Sequence, residues 1–183
     1  CMKKKMSTEC IHAGEDRFKP YDSITTPIIQ SSTFVFQNSE DIQRFTQKKH
    51  FRYEYGRYGN PTQRAAERKL AELEGAESAV LFASGMSAII NTLLAVLKSG
   101  DHMIITDDAY GKTLAFVKAW LPQWGIDTTI VPMGNYEEIE AAMRPETRVF
   151  FSESPTNPYL NIMDFARLTD IKKKHPGVLI VSD

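Results

Sequence analysis

From residue 60 onward, short apolar runs alternate with longer stretches of helical spacing, and this alternation constrains the fold more than any other feature of the chain. The runs lie at 78–83, 102–106, 128–131, 148–152 and 178–181, and helical spacing fills 61–74, 86–97, 110–124, 136–143 and 165–175. A strand that is apolar along its whole length must bury both faces, so such strands predict a parallel sheet with helices on both sides. The expected fold class is therefore α/β.

The first helix of the series has clear signals at both ends. Asn60 can cap it, Pro61 suits its first turn, and Gly75 supplies a stop, with Ala66, Leu70 and Leu73 at helical spacing between them. Before it, residues 1–60 lack sustained periodicity and carry Pro20, Pro27 and a cluster of Ser and Thr, which predicts an extended arm with short elements. The expected organisation is thus an arm over 1–60 and one α/β domain over 61–183, with no internal repeat.

Charge narrows the partners. Lys plus Arg (22) balances Asp plus Glu (23), so no global field recruits nucleic acid or an anionic membrane, and any anion site must be local. The apolar runs are far shorter than the ~20 residues of a membrane helix. Lys3-Lys4-Lys5 is short, terminal and not followed by an apolar segment, so it reads as a solvated end. Cys1 and Cys10 form no framework that could staple a core, which suits a reducing, cytoplasmic setting, and Cys1, standing before Met2, reads as an added residue.

In open parallel sheets ligands bind beyond the carboxyl ends of the strands. Ser84-Gly85-Met86 follows one run and opens a helix, so its amides and the helix dipole can hold a phosphate dianion; a ligand-free turn of small residues is the competing reading. Tyr110 follows the next run and can lay its ring on a flat heterocycle or pack as an ordinary half-buried tyrosine. Asp183 ends the last run, where a carboxylate either meets a cationic group such as a protonated pyridine nitrogen or is simply solvated. The prolines of Glu153-Ser154-Pro155-Thr156-Asn157-Pro158 stiffen the presentation of Asn157, unless the segment is merely a turn. Finally, Arg57, between Tyr55 and Tyr58 in a glycine-punctuated stretch, can give phosphate a forked contact or lie in an unremarkable surface turn.

Taken together, these segments resemble the Cys/Met-metabolism family of pyridoxal-phosphate enzymes. The resemblance rests on Tyr55-Gly56-Arg57-Tyr58-Gly59-Asn60-Pro61-Thr62, Leu73-Glu74-Gly75-Ala76-Glu77, Ala83-Ser84-Gly85-Met86-Ser87-Ala88 and Glu153 to Pro158, with Ile24-Thr25-Thr26-Pro27-Ile28 in agreement. It implies the large domain of pyridoxal-phosphate fold type I, the aspartate-aminotransferase-like fold, preceded by an N-terminal arm. It further implies that Ser84, Gly85 and Met86 bind the phosphate of pyridoxal 5'-phosphate, that Tyr110 stacks on its ring, that Asp183 pairs with the ring nitrogen, and that Asn157 lies near the ring hydroxyl. Tyr55 and Arg57 would reach the phosphate of a neighbouring subunit, so the resemblance implies a homodimer with shared active sites, paired into a homotetramer. Tyr55, Tyr110 and Asp183 are the implied catalytic residues.

Within the family, Lys112 stands where methionine gamma-lyases have a cysteine. The stretch 51–62, with Lys112-Thr113 and Leu121-Pro122, looks most like plant-type cystathionine gamma-synthases. The implied reaction is a trans-sulfuration step of methionine biosynthesis: gamma-replacement on an activated homoserine with cysteine to give cystathionine. Methionine or cystathionine gamma-lyase and homoserine sulfhydrylase are the alternatives. The family's Schiff-base lysine belongs to a Ser-x-Thr-Lys segment, and no lysine here has that context. These residues alone are therefore expected to be inactive, as the N-terminal part of a longer polypeptide, without its C-terminal domain, or as the partner of a companion chain that carries the lysine. A non-catalytic subunit that completes a partner's site through Tyr55 and Arg57 is a reading from another class.

Two further classes fail on spacing. Gly111-Lys112-Thr113 ends like a nucleotide-binding loop, but that motif needs glycine at position 106, where Thr106 stands. His12, His50, His102, His175, Cys1 and Cys10 include no pair with metal-ligand spacing on one element, so the histidines read as structural or surface residues.

Overall fold

The computed structural model describes residues 5–183; the expectation for Cys1, and that for Lys3 and Lys4, fall outside the described residues. By its internal contacts the chain forms two compact units, one ending at Leu81 and the other Phe82–Asp183.

The first unit holds α1 (Met6–His12), a 3-10 turn at Pro20–Asp22, α2 (Ser39–Thr46) and α3 (Pro61–Glu74). The ends of α3 follow its sequence. Asn60 Oδ1 accepts from the Thr62 amide at 2.8 Å, Pro61 opens the helix, and Gly75 closes it in the left-handed region at φ 63°. The preceding chain is laced to α3: Asn60 Nδ2 donates to Ile29 O at 2.8 Å, and the Thr62 hydroxyl accepts from the Ile29 amide at 2.9 Å. Arg68 grips Asp16 with two bonds of 3.0 and 3.1 Å, and Lys69 reaches Glu15 at 3.0 Å. The lysine bonds hold the Glu15 carboxyl below its usual range. Gly14, at φ 66°, approaches so closely that a Cβ would stand 2.5 Å from Lys69 N.

Residues 78–83 do not form the strand expected of them. Leu81 donates its amide to the Glu67 carboxylate of α3 at 3.0 Å instead of to a ladder, and Val80 is 69% exposed. An apolar run becomes a strand only where a neighbouring edge takes its backbone groups.

In the second unit the alternation appears as α4 (Gly85–Val96), β1 (His102–Thr106), α5 (Gly111–Ala119), β2 (Asp127–Val131), α6 (Tyr136–Ala141), β3 (Thr147–Ser152), α7 (Phe165–Lys174) and β4 (Leu179–Ser182). The helix expected over 110–124 is shorter. Pro122 cannot donate to a carbonyl one turn back, and the chain turns at Trp120 into a 3-10 segment, Leu121–Trp124. Among the described residues the sheet has four strands, all parallel, in the order β2-β1-β3-β4.

Successive strand residues point to opposite faces, and each face has its own core. Met103, Ile105, Val149 and Phe151 pack with Ile89, Leu93 and Leu97 from α4 and its end, and with Val117 of α5. Ile104, Phe150 and Val131 pack on the other side with Ile139 of α6 and Leu168 and Ile171 of α7. The α/β class and the flanking helices are thus as expected, because runs such as Met103-Ile104-Ile105 bury alternate residues in two different cores. At the amino edge of the sheet His102 is buried and bonded at both nitrogens, to Thr147 Oγ1 at 2.8 Å and Thr129 Oγ1 at 2.9 Å. Burial, aided by Arg144, pushes its pKa down. It is structural, as expected.

Candidate functional site

Four parallel strands bring three loops and Asp183 to one edge of the sheet. β1 leads through Asp107-Asp108-Ala109 to Tyr110 and α5, β2 leads to Met133-Gly134, β3 leads to the 153–158 segment, and β4 leads to Asp183. The start of α4 joins them, because Thr113 in the first turn of α5 donates its hydroxyl to Met86 Sδ at 3.6 Å.

The helix entrance at Ser84 is simple in its hydrogen bonding. Ser84 Oγ accepts from the Ser87 amide at 3.1 Å, and Ser84 O accepts from the Ala88 amide at 3.0 Å. That leaves the amides of Gly85 and Met86, which have no partner among the described residues. They lie at the positive end of a helix of 12 residues. A Cβ at Gly85 would meet nothing within 4 Å, so the chain's own packing does not require glycine here.

Tyr110 is the N-cap of α5 yet makes no side-chain cap bond, and its residue is 47% exposed. Its amide donates to Glu153 Oε2 at 2.8 Å, which ties the loop after β1 to the loop after β3. A second tie joins the same loops, from Asn161 Nδ2 to Asp108 Oδ2 at 3.1 Å. Between them Thr156 is fully buried. It donates its amide to Asn161 O at 3.0 Å and accepts from the Asn161 amide through Oγ1 at 3.1 Å, so the turn that carries exposed Asn157 closes on itself. The peptide bonds before Pro155 and Pro158 are cis.

Asp183 is held through its backbone: its amide donates to Ser152 O at 2.9 Å, and its carbonyl accepts from the Ser154 amide at 3.1 Å. Its carboxylate is exposed and has no partner among the described residues. Below these loops the hydroxyls of Thr106 and Ser152 meet at 3.1 Å in the buried layer between β1 and β3.

Ser84, Gly85, Met86, Tyr110, Asn157 and Asp183 therefore share the carboxyl edge of one sheet. Tyr55 and Arg57 belong to the first unit. There Gly56 donates to Ser32 O at 2.6 Å and Thr33 bridges Tyr55, which fixes the turn, and the Arg57 guanidinium lies 5.3 Å from the Tyr55 ring and 5.5 Å from the Tyr58 ring. Both tyrosines are exposed, so this is a preformed cationic and aromatic surface.

Two features escaped the sequence reading. Nothing in the residue types marked Glu153 as the acceptor for Tyr110 or Asp108 as the acceptor for Asn161, and their positions directly after strands were the only available signal. The lysines of the last turn of α7 also have partners, with Lys173 and Lys174 exposed. Lys172 donates to Pro176 O at 2.7 Å and to Val178 O, while Lys173 pairs with Asp170 and Lys174 with Glu140.

Comparison with known proteins agrees with this architecture. Residues 7–183 match the family described as Cys/Met metabolism PLP-dependent enzyme. An L-methionine gamma-lyase of Fusobacterium nucleatum is 39% identical over 183 residues, which is 100% of this chain and 46% of that protein. The chloroplastic cystathionine gamma-synthase 1 of Arabidopsis thaliana is 40% identical over 176 residues, 94% of this chain and 31% of that protein. The solved structure of a cystathionine gamma-lyase from Lactobacillus plantarum complexed with L-serine superposes with a TM-score of 0.84 at 35% identity, covering 98% of this chain and 44% of that one. The chain thus spans about half or less of the length of the proteins it matches. With a match that runs over nearly all its residues, this chain belongs to the Cys/Met metabolism family of PLP-dependent enzymes.

Proposed function

We propose that these residues form the cofactor-binding part of a trans-sulfuration enzyme that replaces the gamma substituent of an activated homoserine with the sulfur of cysteine, giving cystathionine. Pyridoxal 5'-phosphate is the cofactor of the family, and the residues at the carboxyl edge fit it. The observation that carries the reading is the pair of amides at Gly85 and Met86, without partners among the described residues and beside the first turn of α5, on the same sheet edge as the Asp183 carboxylate, which likewise has no partner among them.

Each residue has a role that follows from its chemistry. Gly85 and Met86 would bind the phosphate through their amides, with Ser84 capping the helix behind them. Tyr110 would cover one face of the ring, and Asn157 would bond to the ring hydroxyl. Asp183 would hold a proton on the ring nitrogen, since a carboxylate at a strand tip favours a cationic neighbour. When bound, the group supplies an electron sink for negative charge developing beside the substrate amine. Tyr55 and Arg57 would reach the phosphate of a partner subunit in a homodimer, paired into a tetramer. The lysine that the chemistry needs would come from the rest of the polypeptide or from a companion chain. Cys10, an exposed thiol with no disulfide among the described residues, supports a reducing, cytoplasmic setting.

Replacement is favoured over elimination by Lys112 in the first turn of α5 and by the plant synthase pattern of residues 51–62. Elimination is the second reading, favoured by the likeness to L-methionine gamma-lyase over the whole chain. The full polypeptide, supplied with an activated homoserine with and without cysteine and analysed for cystathionine and for the 2-oxo acid and ammonia, separates the two. Cystathionine as the main product is expected. A 2-oxo acid that forms equally fast with and without cysteine would replace the first reading with the second.

A further inference from the structure

We propose that Glu153 and Asp108 are positioning residues that clamp the Tyr110 loop to the loop carrying Asn157 and so set the spacing of the groups that hold the cofactor. The proposal rests on the site reading above and deepens it. Neither carboxylate is assigned a contact with the cofactor; both act through the chain they hold.

The two loops leave neighbouring strands, β1 and β3, whose last residues are joined by the buried Thr106 and Ser152 hydroxyls. Beyond that point no backbone–backbone hydrogen bond joins the two loops among the described residues, and side chains make the ties. Tyr110, unlike Ser84, Asn135 and Asp164 at the other helix starts of this unit, provides no cap of its own. Glu153 accepts instead from the amide of the N-cap residue itself, reaching Tyr110 N across the edge at 2.8 Å. A carboxylate there also sits favourably against the positive end of the α5 dipole.

Asp108 makes the second tie. Its Oδ2 accepts from Asn161, while its Oδ1 is buried with no partner among the described residues. A carboxylate that has lost water on one oxygen depends more heavily on the bond made by the other. On the far side the clamp grips a rigid segment. Asn161 is bonded in both directions to buried Thr156, and Ser154 of the same segment donates to the Asp183 carbonyl. One hydrogen-bonded chain therefore links Tyr110, the turn of Asn157 and the backbone of Asp183.

The test uses the full-length polypeptide, stripped of cofactor and titrated with pyridoxal 5'-phosphate by absorbance, with amide exchange measured at Tyr110. Glu153→Ala and Asp108→Ala are each expected to weaken cofactor affinity about tenfold, and Glu153→Ala to speed exchange of the Tyr110 amide. Glu153→Gln keeps an oxygen that can accept the same bond and should stay within about twofold of the parent. Tyr110→Ala and Asp183→Asn address the underlying site: parent-like affinity in both would end the site reading itself. If those two bind weakly while Glu153→Ala and Asp108→Ala leave affinity and exchange unchanged, the clamp is refuted alone. Equal losses in Glu153→Gln and Glu153→Ala would refute it as well. Should the alanine variants fail to fold by circular dichroism, exchange in the parent decides: the Tyr110 amide must be protected relative to that of Gly111, and equal rates overturn the proposal.

Discussion

Replacing Gly85 with alanine separates what the fold needs from what the cofactor needs. Gly85 is the first residue of α4, lies outside the positive-φ set, and has open space where a Cβ would stand. Alanine therefore fits the folded backbone without a clash. By restricting the unfolded chain it should stabilise the protein by about 0.4–1 kcal/mol. Phosphate bound at the Gly85 amide would meet the new methyl group at close range. Loss or distortion of one charge-assisted hydrogen bond costs about 1.5–3 kcal/mol, so affinity for pyridoxal 5'-phosphate should fall by about tenfold to hundredfold. Urea unfolding of the cofactor-free full polypeptide and an absorbance titration with the cofactor give the two numbers from one preparation. Unchanged affinity in a variant of equal or greater stability would refute the phosphate cradle. A large loss of stability would refute the steric argument on which it rests.

Other outcomes follow from the cores, the arm and the buried histidine. Leu93→Ala, at a position with no exposed surface between α4 and the sheet, should cost about 2–5 kcal/mol in urea unfolding with little change in the denaturant slope. Gly14→Ala would place its Cβ 2.5 Å from Lys69 N and 2.7 Å from Arg68 C, backbone atoms that cannot swing aside; it should loosen the arm from α3 and raise proteolysis within residues 5–30. Because the folded-state pKa of His102 is pushed below its ordinary 6.5, the unfolded chain binds its proton first. Stability should thus be fully present above pH 6.5 and decline as pH falls toward the lowered value, with a slope of at most about 1.4 kcal/mol per pH unit; His102→Gln should remove that part of the slope in urea midpoints measured from pH 7.5 to 5.

Much of this protein is determined by local sequence. The boundaries of α3 were legible because Asn60, Pro61 and Gly75 act within a turn of their own backbone. The β1 and β3 runs were legible because burial on two faces demands continuous apolar residues, whereas the edge strands β2 and β4 are only partly covered and were legible from their apolar residues and their place in the alternation; the cofactor class was legible from contiguous motifs. Residues 78–83 show the limit: the run is as apolar as a strand, yet whether it pairs depends on an edge supplied from elsewhere, and here Glu67 takes the Leu81 amide. The split of the 110–124 helix at Pro122 lies between these cases, since the proline was visible but the turn at Trp120 was not.

Only the tertiary structure decided which strand tips become neighbours. Asp108 and Asn161 stand 53 positions apart, and Tyr110 and Glu153 stand 43 apart, so no periodicity or short motif can register their pairing. The order β2-β1-β3-β4 sets β1 beside β3 and thereby turns two unremarkable carboxylates into ties between loops. Sequence specifies residue chemistry and local geometry through contacts a few positions apart; the packing of parallel strands, which compares residues across the whole chain, specifies which of those chemistries meet.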